Sequence, residues 1–257
     1  MKDAREEWYD ASRGVAVTIV DVTSAAQALA RGHLAGPTAA YYLAKALAAA
    51  ALLATETSEE GEVLSLQVKG TGPLGGLNVE CSQEGKLRGY TEKKILDAFD
   101  GLGTPKDAVV LGKTSLQVTR SVPGRILSQG ISSSLDGYLA GSLQRKATIQ
   151  LEAAVTDDVE ILEARGVLIE EMPDAASTGV LGVRLKSLNV SSRRILDLLS
   201  LKGAELKKTT PLAFGCRCSP ERAKAMLAAV PEAERASLPA RVDVTCHMCG
   251  RTFSVER

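Results

Sequence analysis

The sequence carries no surplus charge of either sign: 31 lysines and arginines balance 31 aspartates and glutamates over 257 residues. Without a global field the chain is not drawn onto a polyanion or an anionic membrane, so neither nucleic acid nor a lipid surface is an expected partner. The first residues, MKDAREEWYDASRG, place acids where a signal or transit peptide would be basic or apolar. The expected location is therefore the cytoplasm. A long apolar run is missing as well. The longest stretch, residues 39–54, is interrupted by Lys45 and is too weakly apolar to span a bilayer. It reads as a core helix. There is no phosphate-binding loop, no G-x-S-x-G and no nucleophile, base and acid set, so no catalytic residue is assigned and the chain is not expected to be an enzyme.

With 45% hydrophobic residues the chain can bury a sizeable core, and its length suits one main domain with a small appendage. Residues 15–22 alternate and are β-branched, which predicts a strand; Thr23 and Ser24 then cap a short helix running toward His33. Pro37 opens a second, largely buried helix over residues 38–55. From Glu62 to Tyr90 the period turns to two between glycine-rich turns, predicting an antiparallel meander. Further strands are expected at 115–119, 125–131 and 148–155, with helices at 134–145 and 157–164. Strands and helices come in runs, so the fold class is α+β, with antiparallel sheets packed against helices. After Pro173 the texture changes to small residues, then Ser192 caps an amphipathic helix bearing Ile195, Leu196, Leu198, Leu199 and Leu201 that ends by Gly203. From Pro211 a cysteine-bearing module begins, with a helix starting at Ser219-Pro220-Glu221, Met226 and Leu227 on its apolar face, and a hairpin over 241–255. The expected division is a core domain over 1–173, a helical linker over 174–210 and a small module over 211–257.

Four of the five cysteines fall in the last 42 residues: Cys216-x-Cys218, a 27-residue spacer, and Cys246-x-x-Cys249. Two close thiol pairs let two turns converge on one ion, and zinc prefers four such thiolates in a tetrahedron. Gly250 supports this, because a turn beside a metal commonly needs a residue tolerant of positive φ. A tail this small has too little core to fold unaided, so metal binding worth on the order of 10 kcal/mol would supply most of its stability. Zinc-bound thiolates remain nucleophiles, so an oxidant can join Cys216 to Cys218 and Cys246 to Cys249, each disulfide removing ligands. Spacing alone leaves open a permanently structural zinc ribbon. Arg217, Arg222 and Arg251 lie close in sequence and could offset the thiolate charge or simply be surface residues. A thioredoxin-like thiol oxidoreductase stays as the weaker alternative, because the C-x-x-C sits between short strands and not in a βαβ unit.

Other motifs have plainer explanations. Gly70-x-Gly72-x-x-Gly75 matches a dinucleotide fingerprint, but Pro73 and the strand that follows predict an ordinary turn. Cys81 shares a strand face with Leu77 and Val79 and is expected to be buried and inert. His33 reads as a loop or helix-end residue, and His247 as an exposed side chain beside the thiols.

With these motifs in view, the chain resembles the heat-shock protein 33 family of redox-regulated holdase chaperones. FGCRCSPERAKAML and VTCHMCGRTFSV look like that family's two cysteine halves, and the likeness continues through GPTAAYYLAKALAAAALLA, LQVKGTGPLGGLNVECSQEGKLRGY and QGISSSLDGYL. The family's serine, glutamate, glutamine triplet stands here as Ser142, Leu143 and Gln144, and the linker is short and lightly charged. The resemblance implies that Cys216, Cys218, Cys246 and Cys249 are zinc ligands and redox pairs. It also implies that residues 174–210 form a metastable linker, and that oxidation releases zinc and unfolds module and linker. The implied activity is ATP-independent capture of unfolded or oxidatively damaged client proteins under stress, by an active form that dimerises. The alternative from a different class is a constitutive zinc-ribbon module that binds RNA or a protein complex.

Overall fold

A computed structural model describes residues 3–173 and 178–257. The expected start of the linker, residues 174–177, lies outside them. In chain order the elements are β1 (Ala4–Asp10), β2 (Val15–Asp21), α1 (Thr23–His33), α2 (Pro37–Leu53), β3 (Val63–Gly70), β4 (Gly76–Ser82) and β5 (Lys86–Thr91). There follow α3 (Asp107–Val110), β6 (Thr114–Val122), β7 (Arg125–Ser132), α4 (Leu135–Gly137), β8 (Lys146–Val155), β9 (Ile161–Glu171), α5 (Ser192–Leu198) and β10 (Glu205–Pro211). The chain ends with β11 (Ala213–Phe214), α6 (Pro220–Ala228), α7 (Glu232–Ala236), β12 (Arg241–Thr245) and β13 (Thr252–Glu256).

Two sheets enclose α2. One has five strands in the order β10-β1-β2-β9-β8, the other six in the order β11-β5-β4-β3-β6-β7, and β12-β13 forms a separate hairpin. The α2 helix packs on β2, β8 and β9 on one side and on β3, β4 and β5 on the other. All its residues except Pro37, Tyr41 and Lys45 are buried. This explains its composition: alanines keep the helix narrow, so both sheets can approach closely. The helical stretch Pro37–Glu56 is long and apolar enough to cross a bilayer, yet 83% of its apolar window is buried inside the protein, which makes it a core helix as expected.

A second apolar layer lies on the opposite face of the five-stranded sheet. There Val15, Val17, Val167 and Ile169 are covered by Val180, Leu188, Ile195, Leu196, Leu199, Leu201 and Ala204. The segment expected as a linker is thus spread over a sheet face, and its last residues form the edge strand β10, paired to β1. The C-terminal module has a much smaller core of its own: Ala223, Leu227 and Val255, with Leu238, Val242, Val244 and Phe253 partly buried around them.

Several expectations need correction. Residues 157–164 are not a helix: a turn with Val159 at positive φ leads into β9, which pairs with β2 and β8 on its two edges. Two flanking strands outweigh the modest helix propensity of Ile161–Ala164. The helix expected over 134–145 shrinks to the single turn of α4, capped by Ser134, and a wider π turn over Tyr138–Ser142 that buries Tyr138 and Leu139. Ser191, not Ser192, caps α5. Its end is closed by Ser200 at positive φ, not by Gly203, with Leu201 N–H bonding Leu196 O at 2.8 Å and Ser200 N–H bonding Asp197 O at 3.0 Å. On α6, Leu227 is buried but Met226 is 66% exposed.

The cap of α1 is also not the expected one. Thr23 is already helical, and the Asp3 carboxylate accepts the N–H groups of Ser24 and Ala25 at 3.0 and 2.7 Å. A buried carboxylate just ahead of β1 thus satisfies the helix start and complements its dipole. Asp3→Ala is expected to cost about 1–2 kcal/mol in urea unfolding, whereas Ser24→Ala should stay within about 0.5 kcal/mol. A larger loss for Ser24→Ala would contradict this assignment.

Candidate metal centre

The first thiol pair is positioned by β11. This two-residue strand pairs in parallel with β5, and Gly215 N–H bonds Leu87 O at 2.9 Å, which delivers Cys216 to the end of the six-stranded sheet. Cys218 follows, immediately before the α6 cap Ser219. The second pair lies in the turn between β12 and β13. There Cys246 N–H bonds Arg251 O at 2.8 Å, and the N–H groups of Cys249 and Gly250 both reach Cys246 O, at 3.3 and 2.9 Å. Gly250 sits at φ +74°, as its place beside the thiols predicted, and a Cβ there would also strike Gly32 O.

The four sulfurs lie within 4.8 Å of one another. Cys216 Sγ is 3.7 Å from Cys246 Sγ, and Cys218 Sγ is 3.5 Å from Cys249 Sγ. A tetrahedral ion with metal–sulfur bonds of ~2.3 Å sets its ligands ~3.8 Å apart, so the residues present fit one metal ion with a thiolate at each corner. Such an all-sulfur tetrahedron suits zinc or iron among the common metals.

The module is held against the core by β5 and the end of α1. Gly89 N–H bonds Met248 O at 3.0 Å while its carbonyl lies 2.8 Å from His33 Nε2. Tyr90 meets the His247 ring edge-on with centroids 3.9 Å apart. The Arg88 guanidinium, ion-paired to Glu80 at 2.6 Å, reaches Cys216 Sγ at 4.0 Å.

Ligation requires the thiols to lose their protons. Burial pushes the Cys216 thiol up. Against that, the Cys218 N–H, the Cys218 and Cys249 thiols and Arg88 bring it down to about 7. Burial raises Cys218 and Cys249. Cys81 is different in kind: it is fully buried in the central sheet, and burial pushes its thiol up to about 12 against a small opposing effect of Arg5.

All four predicted cysteines therefore converge, while Cys81 stands apart. His247 is exposed and packs on Tyr90. His33 does end α1, though it is buried. The glycines at 70, 72 and 75 form a turn whose N–H groups are used internally, Gly70 to Gly75 O and Gly72 to Leu111 O, leaving no phosphate cradle. Among the described residues, no side chain of Arg217, Arg222 or Arg251 bonds a sulfur; the arginine that does is Arg88. Its position, 128 residues before Cys216, gives no local signal. The reduced protein is expected to carry about one equivalent of a thiophilic divalent ion, and Cys246→Ser to lose it, as read by elemental analysis. Metal-free wild-type protein would contradict the assignment.

The family described as Hsp33 protein matches residues 7–256. The 33 kDa chaperonin of Symbiobacterium thermophilum is 29% identical over 248 residues, covering 87% of this chain and 84% of that protein. The 33 kDa chaperonin of Thermus thermophilus is 29% identical over 277 residues, covering 94% of this chain and 80% of that protein. Among solved structures, the 33 kDa chaperonin (heat shock protein 33 homolog) of Thermotoga maritima superposes with a TM-score of 0.83 at 19% identity, covering 100% of this chain and 95% of that one. That last likeness concerns the fold alone. With the family matched over nearly its whole length and the four sulfurs in place, this chain belongs to the Hsp33 protein family.

Proposed function

We propose that this Hsp33-family chaperone is an ATP-independent cytoplasmic holdase, switched on when oxidation takes the ligands from a zinc ion held by Cys216, Cys218, Cys246 and Cys249. The observation that carries this reading is the route of the chain between the thiols and the covered apolar face. Upstream of Cys216 the backbone runs through β11 and the mostly exposed edge strand β10 directly into the segment that covers Val15, Val17, Val167 and Ile169.

Zinc, when bound, supplies a cross-link between the C-x-C and C-x-x-C halves. Each cysteine pair is a two-electron reductant. One thiolate of Cys246 and Cys249 attacks the O–O bond of a peroxide, giving a sulfenic acid and releasing hydroxide; its neighbouring thiolate then displaces a second hydroxide from that sulfur and closes the S–S bond. Per pair, one peroxide and two protons are consumed and two waters leave. The same step in Cys216 and Cys218 uses a second peroxide. Disulfide sulfurs carry no charge to hold a cation, so the two halves lose their cross-link. With three buried apolar residues of its own, the module is then too weakly held to stay folded. The next parts along the chain, β11 and β10, lose their anchor, and the cover of the five-stranded sheet is released as a third part, the linker. The clients are unfolded or oxidatively damaged proteins, met by the apolar sheet face.

Incubating the reduced, zinc-loaded protein with peroxide should release about one equivalent of zinc to a chromogenic chelator, in step with the gain of aggregation suppression on a test client. Retained zinc with unchanged suppression would overturn the reading.

A further inference from the structure

Residues 183–190 cross the five-stranded sheet without belonging to any strand; residues 183–185 run straight, and the chain bends at Lys186, Leu188 and Val190. Arg184, Lys186 and Asn189 are exposed, while Val183, Leu185, Ser187 and Val190 are partly buried and Leu188 is buried, so the alternation of the first residues breaks at Ser187 and Leu188. A segment like this normally satisfies its main chain by pairing with a neighbouring strand. Here side chains of the sheet beneath take that role. Gln150 on β8 donates from Nε2 to Val183 O at 2.8 Å and accepts Leu185 N–H on Oε1 at 2.9 Å. That pattern, one carbonyl and the N–H two residues on, is what a residue of a parallel strand offers with its own backbone. Two residues along β8, on the same face, the Glu152 carboxylate accepts Leu188 N–H and, at 3.3 Å, the Ser187 hydroxyl. Arg165, opposite Glu152 on β9, donates from Nη1 to Leu188 O at 3.1 Å and to Val190 O at 3.4 Å, and its Nη2 is held by Asp21 at 3.1 Å.

Five of these six contacts go to peptide groups, which every residue carries, and they sit beside the apolar floor of Val15, Val17, Val167 and Ile169. We infer that Gln150, Glu152 and Arg165 form a reader of extended main chain, and that its occupant once residues 183–190 have left is an extended segment of a non-native polypeptide. The inference rests on the holdase reading above and names the atoms by which that reading's clients are held. It also supplies a selection rule. A native protein spends its peptide groups on its own helices and sheets, whereas an unfolded segment presents them free, so reading the main chain favours unfolded protein while leaving its sequence open. In the closed state residues 183–190 occupy the reader in place of a client.

The test uses full-length oxidised, zinc-free protein and a fluorescent peptide with the sequence of residues 181–190, LGVRLKSLNV. Two copies are N-methylated, one at the position of Leu185 and one at that of Leu188. Each methyl is expected to weaken binding about tenfold, by removing one main-chain donor and crowding its acceptor. In Gln150→Leu the methyl at the Leu185 position should no longer matter, while the methyl at the Leu188 position still costs the same factor. Equal binding of the parent and both methylated peptides by wild-type protein that does suppress aggregation would overturn the reader and leave the holdase reading standing. So would an unchanged pattern in Gln150→Leu. Oxidised protein whose peptide binding vanishes as it self-associates through this face would assign the face to a second copy and overturn the inference. Absence of aggregation suppression would remove the holdase reading, and the inference with it.

Discussion

Four sulfurs drawn from two distant turns, all within 4.8 Å of one another, are the contact on which the far end of this protein depends. Thiols attract one another weakly, and the tail around them buries few apolar side chains, so a cation gathering the sulfurs would be its main source of cohesion. The gathered turn also faces the core: Met248 O on Gly89, His247 on Tyr90 and Cys216 beside Arg88 place the module on β5 and the end of α1. The centre therefore both closes the tail and docks it.

The rest of the chain falls into layers of unequal cohesion. The α2 helix, enclosed by two sheets, belongs to a core that involves none of the described residues between 178 and 210. The cover of the five-stranded sheet has a smaller core and is tied down by polar side chains reaching its backbone. The strand that joins this cover to the metal centre, β10, is an edge strand exposed along most of its length. Stability that varies in this way along a chain allows one part to open while another stays folded. The proposed switch takes its order of opening from connectivity: the module, then β11 and β10, then the cover.

What was legible in the sequence was what neighbouring residues encode. The alternation of Val63–Gly70 and Gly76–Ser82 foretold paired strands, the small apolar residues of α2 foretold a buried helix, and the spacing of the four cysteines foretold their convergence. What remained hidden depends on partners far along the chain. The charged strand AREEWYD became β1 only because β2 and β10 flank it. Ile161–Ala164 became strand because β2 and β8 claim β9. The Asp3 cap, the Arg88 contact and the grip of Gln150 and Glu152 on residues 183–188 all join residues more than twenty positions apart, beyond any local pattern.

The central claim is that losing the four-sulfur cross-link frees a distant sheet face, and amide hydrogen exchange before and after peroxide treatment tests it most directly. The account predicts that Arg241–Thr245 and Thr252–Glu256, β10 and residues 180–204 lose protection together while Pro37–Leu53 keeps its own. A tail that opens while residues 180–204 remain protected would contradict it.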